Sequence, residues 1–181
     1  MFGKRFYLLV VIFIFGHQAA WAEKTAAEID AEADVALEKL YASAPGAVEL
    51  SKGAKGILIF PHVWKAGLVL GGKFGKGVLR ENGKSVAYYN TAAGSYGLQA
   101  GVQAYGFALF FMTDESLEYL KKSKGWEIGV GPSIVVVDKG AARSLTTSTA
   151  QEPIYAFFVD QKGLMAGIGI EGSKITQINP K

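Results

Sequence analysis

The spacing of apolar positions changes near residue 53. From 25 to 44, Ile29, Ala33, Ala36, Leu37 and Leu40 recur three or four apart, while Glu28, Glu32, Asp34 and Glu38 mostly fall between them. That period predicts an amphipathic helix. Thr25 followed by Glu28 has the form of a capping box at its start. Pro45-Gly46 ends it, and a short second helix is expected over 47–52. Beyond Gly53 the period becomes two. Gly56 to Phe60 is an apolar run, read as a buried strand ended by Pro61. From 66 to 80 the alternation is unusual. Gly67, Val69, Gly71, Lys73, Gly75, Gly77 and Leu79 share one face, and Leu68, Leu70, Gly72, Phe74, Lys76, Val78 and Arg80 share the other. Glycine weakens a strand unless a close backbone approach or strong curvature requires it.

Asn82-Gly83 signals a hairpin turn into a strand over 85–90. Residues 94–103 alternate again, with Tyr96, Leu98, Ala100 and Val102 against Ser95, Gly97, Gln99, Gly101 and Gln103. Tyr105 to Met112 is a strongly apolar strand. Thr113-Asp114 then caps a helix over 115–122, with acids at its start, Lys121, Lys122 and Lys124 at its end, and Gly125 after it. This order complements the helix dipole. Strands are expected over 126–130 and 133–138, split by Gly131-Pro132. A polar loop follows over 139–152, then a hairpin of 154–160 and 164–170 about a turn at 161–163. The sum is an α+β chain. N-terminal helices precede a glycine-rich antiparallel sandwich or barrel with one inserted helix.

The first 22 residues stand apart from this pattern. Lys4 and Arg5 precede an unbroken apolar run from Phe6 to Phe15, and Ala20-Trp21-Ala22 offers small residues where a signal peptidase reads. Residues 1–22 are therefore expected to be a cleaved secretory signal, leaving 23–181 as one domain. The expected location is the bacterial periplasm. The 181 residues contain no cysteine, which excludes disulfides, thiolate metal sites and a cysteine nucleophile. The leader holds two cations and no acid, so the formal charge of +3 for the whole chain becomes +1 for residues 23–181. The distribution says more than the total. Residues 23–40 hold six acids and two lysines, whereas residues 51–84 hold Lys52, Lys55, Lys65, Lys73, Lys76, Arg80 and Lys84 against Glu81 alone.

Catalytic patterns are absent or misplaced. His62 is the single histidine after the leader, and without cysteine it cannot build a typical zinc site, so no metal is expected. Its Pro61-His62 turn suits a surface or capping residue. Ser95 in Ala93-Gly94-Ser95-Tyr96-Gly97 lies within an alternating strand and not at a strand-to-helix elbow. Gly167 to Gly172 spells G-x-G-x-x-G, but no helix has room to follow it before the C-terminus. Asp114, Glu115 and Glu118 are accounted for by helix capping, and Asp138 and Asp160 by turns. Neither an enzyme nor a cofactor is expected. Nucleic acid is disfavoured as a partner, because the sheet aromatics interleave with glycine and not with cations.

What stands above background is the basic segment. Trp64 beside Lys65 suits a headgroup interface, with the ring at the boundary and the ammonium on phosphate. The alternative is a core tryptophan. Order and spacing add a resemblance. Ala54-Lys55-Gly56 through Phe60-Pro61, Lys65-Ala66-Gly67, Gly71-Gly72, Gly75 and Gly77-Val78-Leu79 form its first blocks. Ser95 to Gln103 follows an S-x-G-x-Q-x-G-x-Q pattern, and Gly129 to Pro132 a G-x-G-P. Together, over about residues 31–178, they resemble the SYLF domain family. That resemblance implies phospholipid binding, of phosphoinositides in eukaryotic members, and no catalysis. It assigns no lipid site residue by residue. The charge pattern nominates Lys52, Lys55, Lys65, Lys73, Lys76, Arg80 and Trp64 for anionic headgroups. Alternation sets Lys73 and Lys76 on opposite faces. The alternative function is a structural or interaction protein of the envelope, its acidic first helix docking on a basic partner or on its own sheet in a dimer.

Overall fold

The computed structural model describes residues 23–67, 70–96, 101–137, 141–143, 145–159, 170 and 172–181. Helix α1 spans Ala26–Ser43 and α2 spans Pro45–Ser51. The Thr25 side chain accepts the Glu28 N–H while the Glu28 carboxylate takes the Thr25 N–H at 2.8 Å, so the capping box is complete. Pro45 ends α1 by starting α2 at its first turn, where a missing N–H costs nothing.

Eight strands form one sheet: β1 (Gly56–Gly67), β2 (Leu70–Glu81), β3 (Lys84–Tyr96), β4 (Gly101–Phe111), β5 (Trp126–Glu127), β6 (Ile134–Val137), β7 (Ile154–Val159) and β8 (Lys174–Ile178). Their order is β5-β8-β3-β2-β1-β4-β7-β6. All neighbours are antiparallel except β6 and β7, which run parallel. Helix α3 (Asp114–Lys122) follows β4, capped by Thr113.

The expected sandwich or barrel is instead a single sheet curled into a half-barrel. Phe111 on β4 and Trp126 on β5 are five strand steps apart, which in a flat sheet would be about 24 Å. Their ring centroids stand 6.2 Å apart, so the sheet bends its edge strand back over its own face. Leu58, Phe60, Val63, Leu79, Tyr89, Tyr105, Phe107, Leu109 and Phe111 line this inner face, closed by Leu117 and Leu120 of α3. The outer face buries Ile59, Val78, Ala108, Phe110 and Phe157 under Ile29, Ala33, Ala36 and Leu40 of α1. Both faces are therefore buried through the middle of the sheet, which is why β4 reads as an apolar run with no alternation.

Several expected boundaries move. Pro61 does not end the first strand. β1 continues to Gly67 through an irregularity in register between Ile59 and Val63 against both neighbours. The bulge absorbs the proline, which a regular central strand would exclude. It also explains two glycines. A Cβ on Gly77 would lie 2.3 Å from the Ile59 carbonyl, and one on Gly75 would lie 2.7 Å from that of His62. The 66–80 segment is not one strand: Ala66 and Gly67 close β1, and β2 starts at Leu70, with Gly67 facing Gly71. Likewise 94–103 divides between β3 and β4. β8 was not anticipated; it pairs with β3 and β5. The strand expected over 164–170 lies outside the described residues except for Ile170, as do residues 1–22.

Candidate functional site

The basic segment does not form one surface. Lys52 pairs with Glu49 at 2.6 Å on α2, and Lys55 lies 3.6 Å from Asp114 just before β1. Both stand at the start of β1, whereas Lys65 stands near its far end, about 30 Å away along an extended strand. Arg80 and Lys76 are on the outer face under α1. The Arg80 guanidinium donates to the Asp34 carboxylate and to the Asp30 carbonyl, and Lys76 lies 3.4 Å from Glu23. His62 sits 3.3 Å from Glu32, itself bonded by Lys24. The acidic helix thus docks on the basic sheet of its own chain, with Asp30, Glu32 and Asp34 engaged there.

Asp30 completes this clasp. Its two carboxylate oxygens accept the Ser85 hydroxyl at 2.7 Å and the Tyr88 hydroxyl at 2.9 Å. Burial first, and then the Asp30 carboxylate, raise the Tyr88 phenol above its ordinary range.

α1 leaves one end of the outer face bare. Past the facing pair His62 and Lys76, the next pair is Trp64 on β1 and Phe74 on β2. Trp64 is 53% exposed and Phe74 47%, beside exposed Ala92 and Ala104 on the flanking strands. The core reading of Trp64 is excluded: its ring is an exposed apolar group at the end of the sheet.

The same end of the inner face holds Lys65 and Lys73. They face each other directly across β1 and β2, one pair in from the strand ends at Gly67 and Gly71. Lys73 is only 9% exposed, and Lys65 is half-buried. Burial, and then the neighbouring Lys65 charge, lower the Lys73 ammonium below its ordinary range. The next row inward is Val63, Gly75, Thr91 and Tyr105. Burial pushes the Tyr105 phenol up to about 12. The expected opposition of Lys73 and Lys76 is what the strand shows.

Of the four side chains at this rim, the sequence nominates Trp64, Lys65 and Lys73 and misses Phe74 as the exposed mate of Trp64. The signal was available: Trp64 and Phe74 flank a short connection symmetrically. It was lost when 66–80 was read as one strand. The S-x-G-x-Q-x-G-x-Q run brackets the end of β3 and the start of β4, with Ser95 opposite Gly71 and Gln103 opposite Lys65 in the backbone register. Residues 97–100, between them, lie outside the described part.

These features define an α+β module whose distinctive side chains gather at one rim of a curled sheet. Residues 92–180 match the family model described as Ysc84, Las17-binding protein actin regulator. Over that stretch the chain is similar to this family, which is the SYLF family of the sequence resemblance. No curated protein matches the chain.

Proposed function

We propose that this protein is a phospholipid-binding module of the bacterial cell envelope, exported by cleavage after Ala22 and docking on anionic headgroups. One observation carries the reading: the exposed Trp64–Phe74 pair sits at the rim that also holds Lys65 and Lys73. Aromatic rings favour the boundary between headgroups and acyl chains, and cations beside them meet lipid phosphate. Each cation near an anionic surface contributes about 1 kcal/mol, so a few at one rim make only a weak attraction and the rings must add to it.

The docking set is accordingly narrower than charge alone suggests. It consists of Trp64, Phe74, Lys65 and Lys73; Lys76, beside them on the outer face, lies against Glu23. Lys52 and Lys55 lie at the opposite end of β1, and Arg80 is committed to Asp34. The family reading supports a binding role and not catalysis.

Co-sedimentation with vesicles tests the proposal. The protein is expected to bind vesicles containing phosphatidylglycerol and not purely zwitterionic ones. Replacing Trp64 and Phe74 together by Ala is expected to weaken that binding about tenfold, corresponding to loss of about 1.4 kcal/mol. Undiminished binding by that variant, or equal binding to both vesicle types, would overturn this assignment.

A further inference from the structure

We infer that the cleft between α3 and the turn at Gly129–Pro132 takes an arginine side chain from an extended segment of a partner protein. The cleft is separate from the docking rim. α3 follows the end of β4 at Phe111, whereas the rim lies at the other end, near Gly101. A rim seated on a membrane leaves the cleft turned away from it, open to another protein.

The G-x-G-P run builds one wall of the cleft. The Trp126 indole donates to the Val130 carbonyl at 2.8 Å, and the Val130 N–H donates back to the Glu127 carbonyl at 3.0 Å. Gly131, at φ 95°, then passes against the Tyr119 phenol, whose atoms would lie 2.6–2.9 Å from an added Cβ. Only glycine permits both that backbone angle and that contact. Tyr119, Pro132 and Pro153 border a space of about 360 Å³, which the buried Ser116 also lines. The Ser116 hydroxyl donates to the Pro153 carbonyl at 3.2 Å, and the Ser133 hydroxyl to the Glu152 carboxylate at 2.7 Å. Both proline walls are thus tied in place, and a cleft whose walls are already fixed loses little order when it is filled.

Its side chains select the ligand. Tyr119 is 39% exposed, with its ring held edge-on against Trp126 at 6.3 Å. Glu115 stands one turn before it on α3, so carboxylate and ring share one flank, with Cβ atoms about 5–6 Å apart. Glu115 is the single charged residue lining the cleft. On the same helix Lys55 meets Asp114 and Lys122 meets Glu118, whereas Glu115 makes no hydrogen bond or ion pair among the described residues. An aromatic face beside an unpaired carboxylate fits arginine better than other side chains. The planar guanidinium stacks on the ring and forks onto the carboxylate. Lysine offers a point charge without the fork, an apolar ligand would leave Glu115 unanswered, and an anion is repelled by it. The prolines give apolar contact to the residues that flank the arginine, as in the ring-lined grooves that take extended peptides.

The probe is an acetylated, amidated peptide of one arginine between alanine pairs, titrated into the protein while the backbone amide resonances of residues 115–119 and 130–131 are followed. The control peptide carries citrulline, which has the same shape and no charge. The arginine peptide is expected to shift these amides saturably, and the citrulline peptide to bind at least about tenfold more weakly. E115Q is expected to cause a loss of similar size, and Y119L a loss of about fivefold. E115Q, at an exposed position, keeps the test sound if Y119L disturbs the packing on Trp126.

No saturable shift, equal binding of the two peptides, or undiminished binding by E115Q would overturn the site. A lysine peptide that binds as tightly as the arginine one would overturn the stacked geometry. Shifts of the same amides by vesicles and not by the peptide would replace the protein partner with a membrane. The chain has an exposed arginine of its own at Arg143. Concentration-dependent self-association abolished by both E115Q and R143Q would put a second copy in the cleft and overturn the reading of a different partner.

Discussion

At the scale of the residue, Lys73 is the clearest case of a side chain kept against the interest of stability. Its lowered ionisation means that the folded state holds the proton less tightly than the unfolded chain does. By linkage, the unfolded state then binds more protons between the folded and unfolded values of this group, so stability rises with pH across that window. Below it the ammonium is charged in both states and its burial cost is fully present. Lys73→Met is therefore expected to raise the melting temperature near neutral pH by about 2–4 °C, a gain of about 1 kcal/mol. That gain should shrink as pH approaches the ordinary lysine value of 10.5. Calorimetric scans at several pH values check the sign. A loss of stability at neutral pH would show that the neighbourhood favours the ammonium.

Gly77 is the opposite case, a residue held by geometry. Its missing Cβ leaves room for the Ile59 carbonyl, and the Phe60 ring lies almost as near. Gly77→Ala forces the bulge to move and is expected to cost about 1–3 kcal/mol. A guanidinium unfolding curve reads it as a lower midpoint with an unchanged slope. Gly72 and Gly94 have no such crowding, with nothing nearer than 3.9 Å to an added Cβ on Gly72 and open space at Gly94. Alanine at either should change the midpoint little.

At the scale of the element, α1 is both a lid and a counterion. Its apolar stripe covers the outer core, its Asp34 and Glu32 answer the sheet's Arg80 and His62, and Glu23 just before it lies against Lys76. Removing residues 23–44 would expose Ile59, Val78, Ala108, Phe110 and Phe157 at once. That deletion is expected to yield an aggregating chain without cooperative unfolding, checked by gel filtration and thermal melts. A milder probe is Asp30→Ala, which removes the acceptor for Ser85 and Tyr88. It is expected to cost about 1–2 kcal/mol, the loss of two hydrogen bonds, one exposed and one half-buried.

At the scale of the whole molecule, charge is sorted by end and by face. Lys52 and Lys55 sit at one end of β1, the proposed docking rim is at the other, and α1 neutralises part of the outer face between them. Reversing Lys52 and Lys55 to Glu is expected to leave binding to anionic vesicles within about twofold at 0.15 M salt, since the Debye length there is about 8 Å and these groups lie well beyond it. Reversing Lys65 should weaken it severalfold. Equal losses from both changes, measured by co-sedimentation, would mean that the molecule lies along the membrane and does not dock by its rim.

The helices and their caps were legible in the chain because they are local. Thr25 with Glu28, Pro45, and Thr113 with the acids and lysines around α3 each act within one or two turns. The glycine alternation announced close backbone contact, and the contact is the bulge at Pro61. The resemblance blocks were legible for the same reason, as short runs at fixed spacing. What the chain could not state was which runs are neighbours. A strand pattern of period two names two faces without saying which is inside. Nor does it mark where one strand ends and its hairpin mate begins when glycine and apolar residues continue through the turn. Only the curled sheet decided that Lys65 meets Lys73, that Trp64 meets Phe74, and that Arg80 belongs to Asp34. Pairings between residues far apart in sequence are fixed by burial of both sheet faces and by the register of the ladder, and neither is encoded in any one segment.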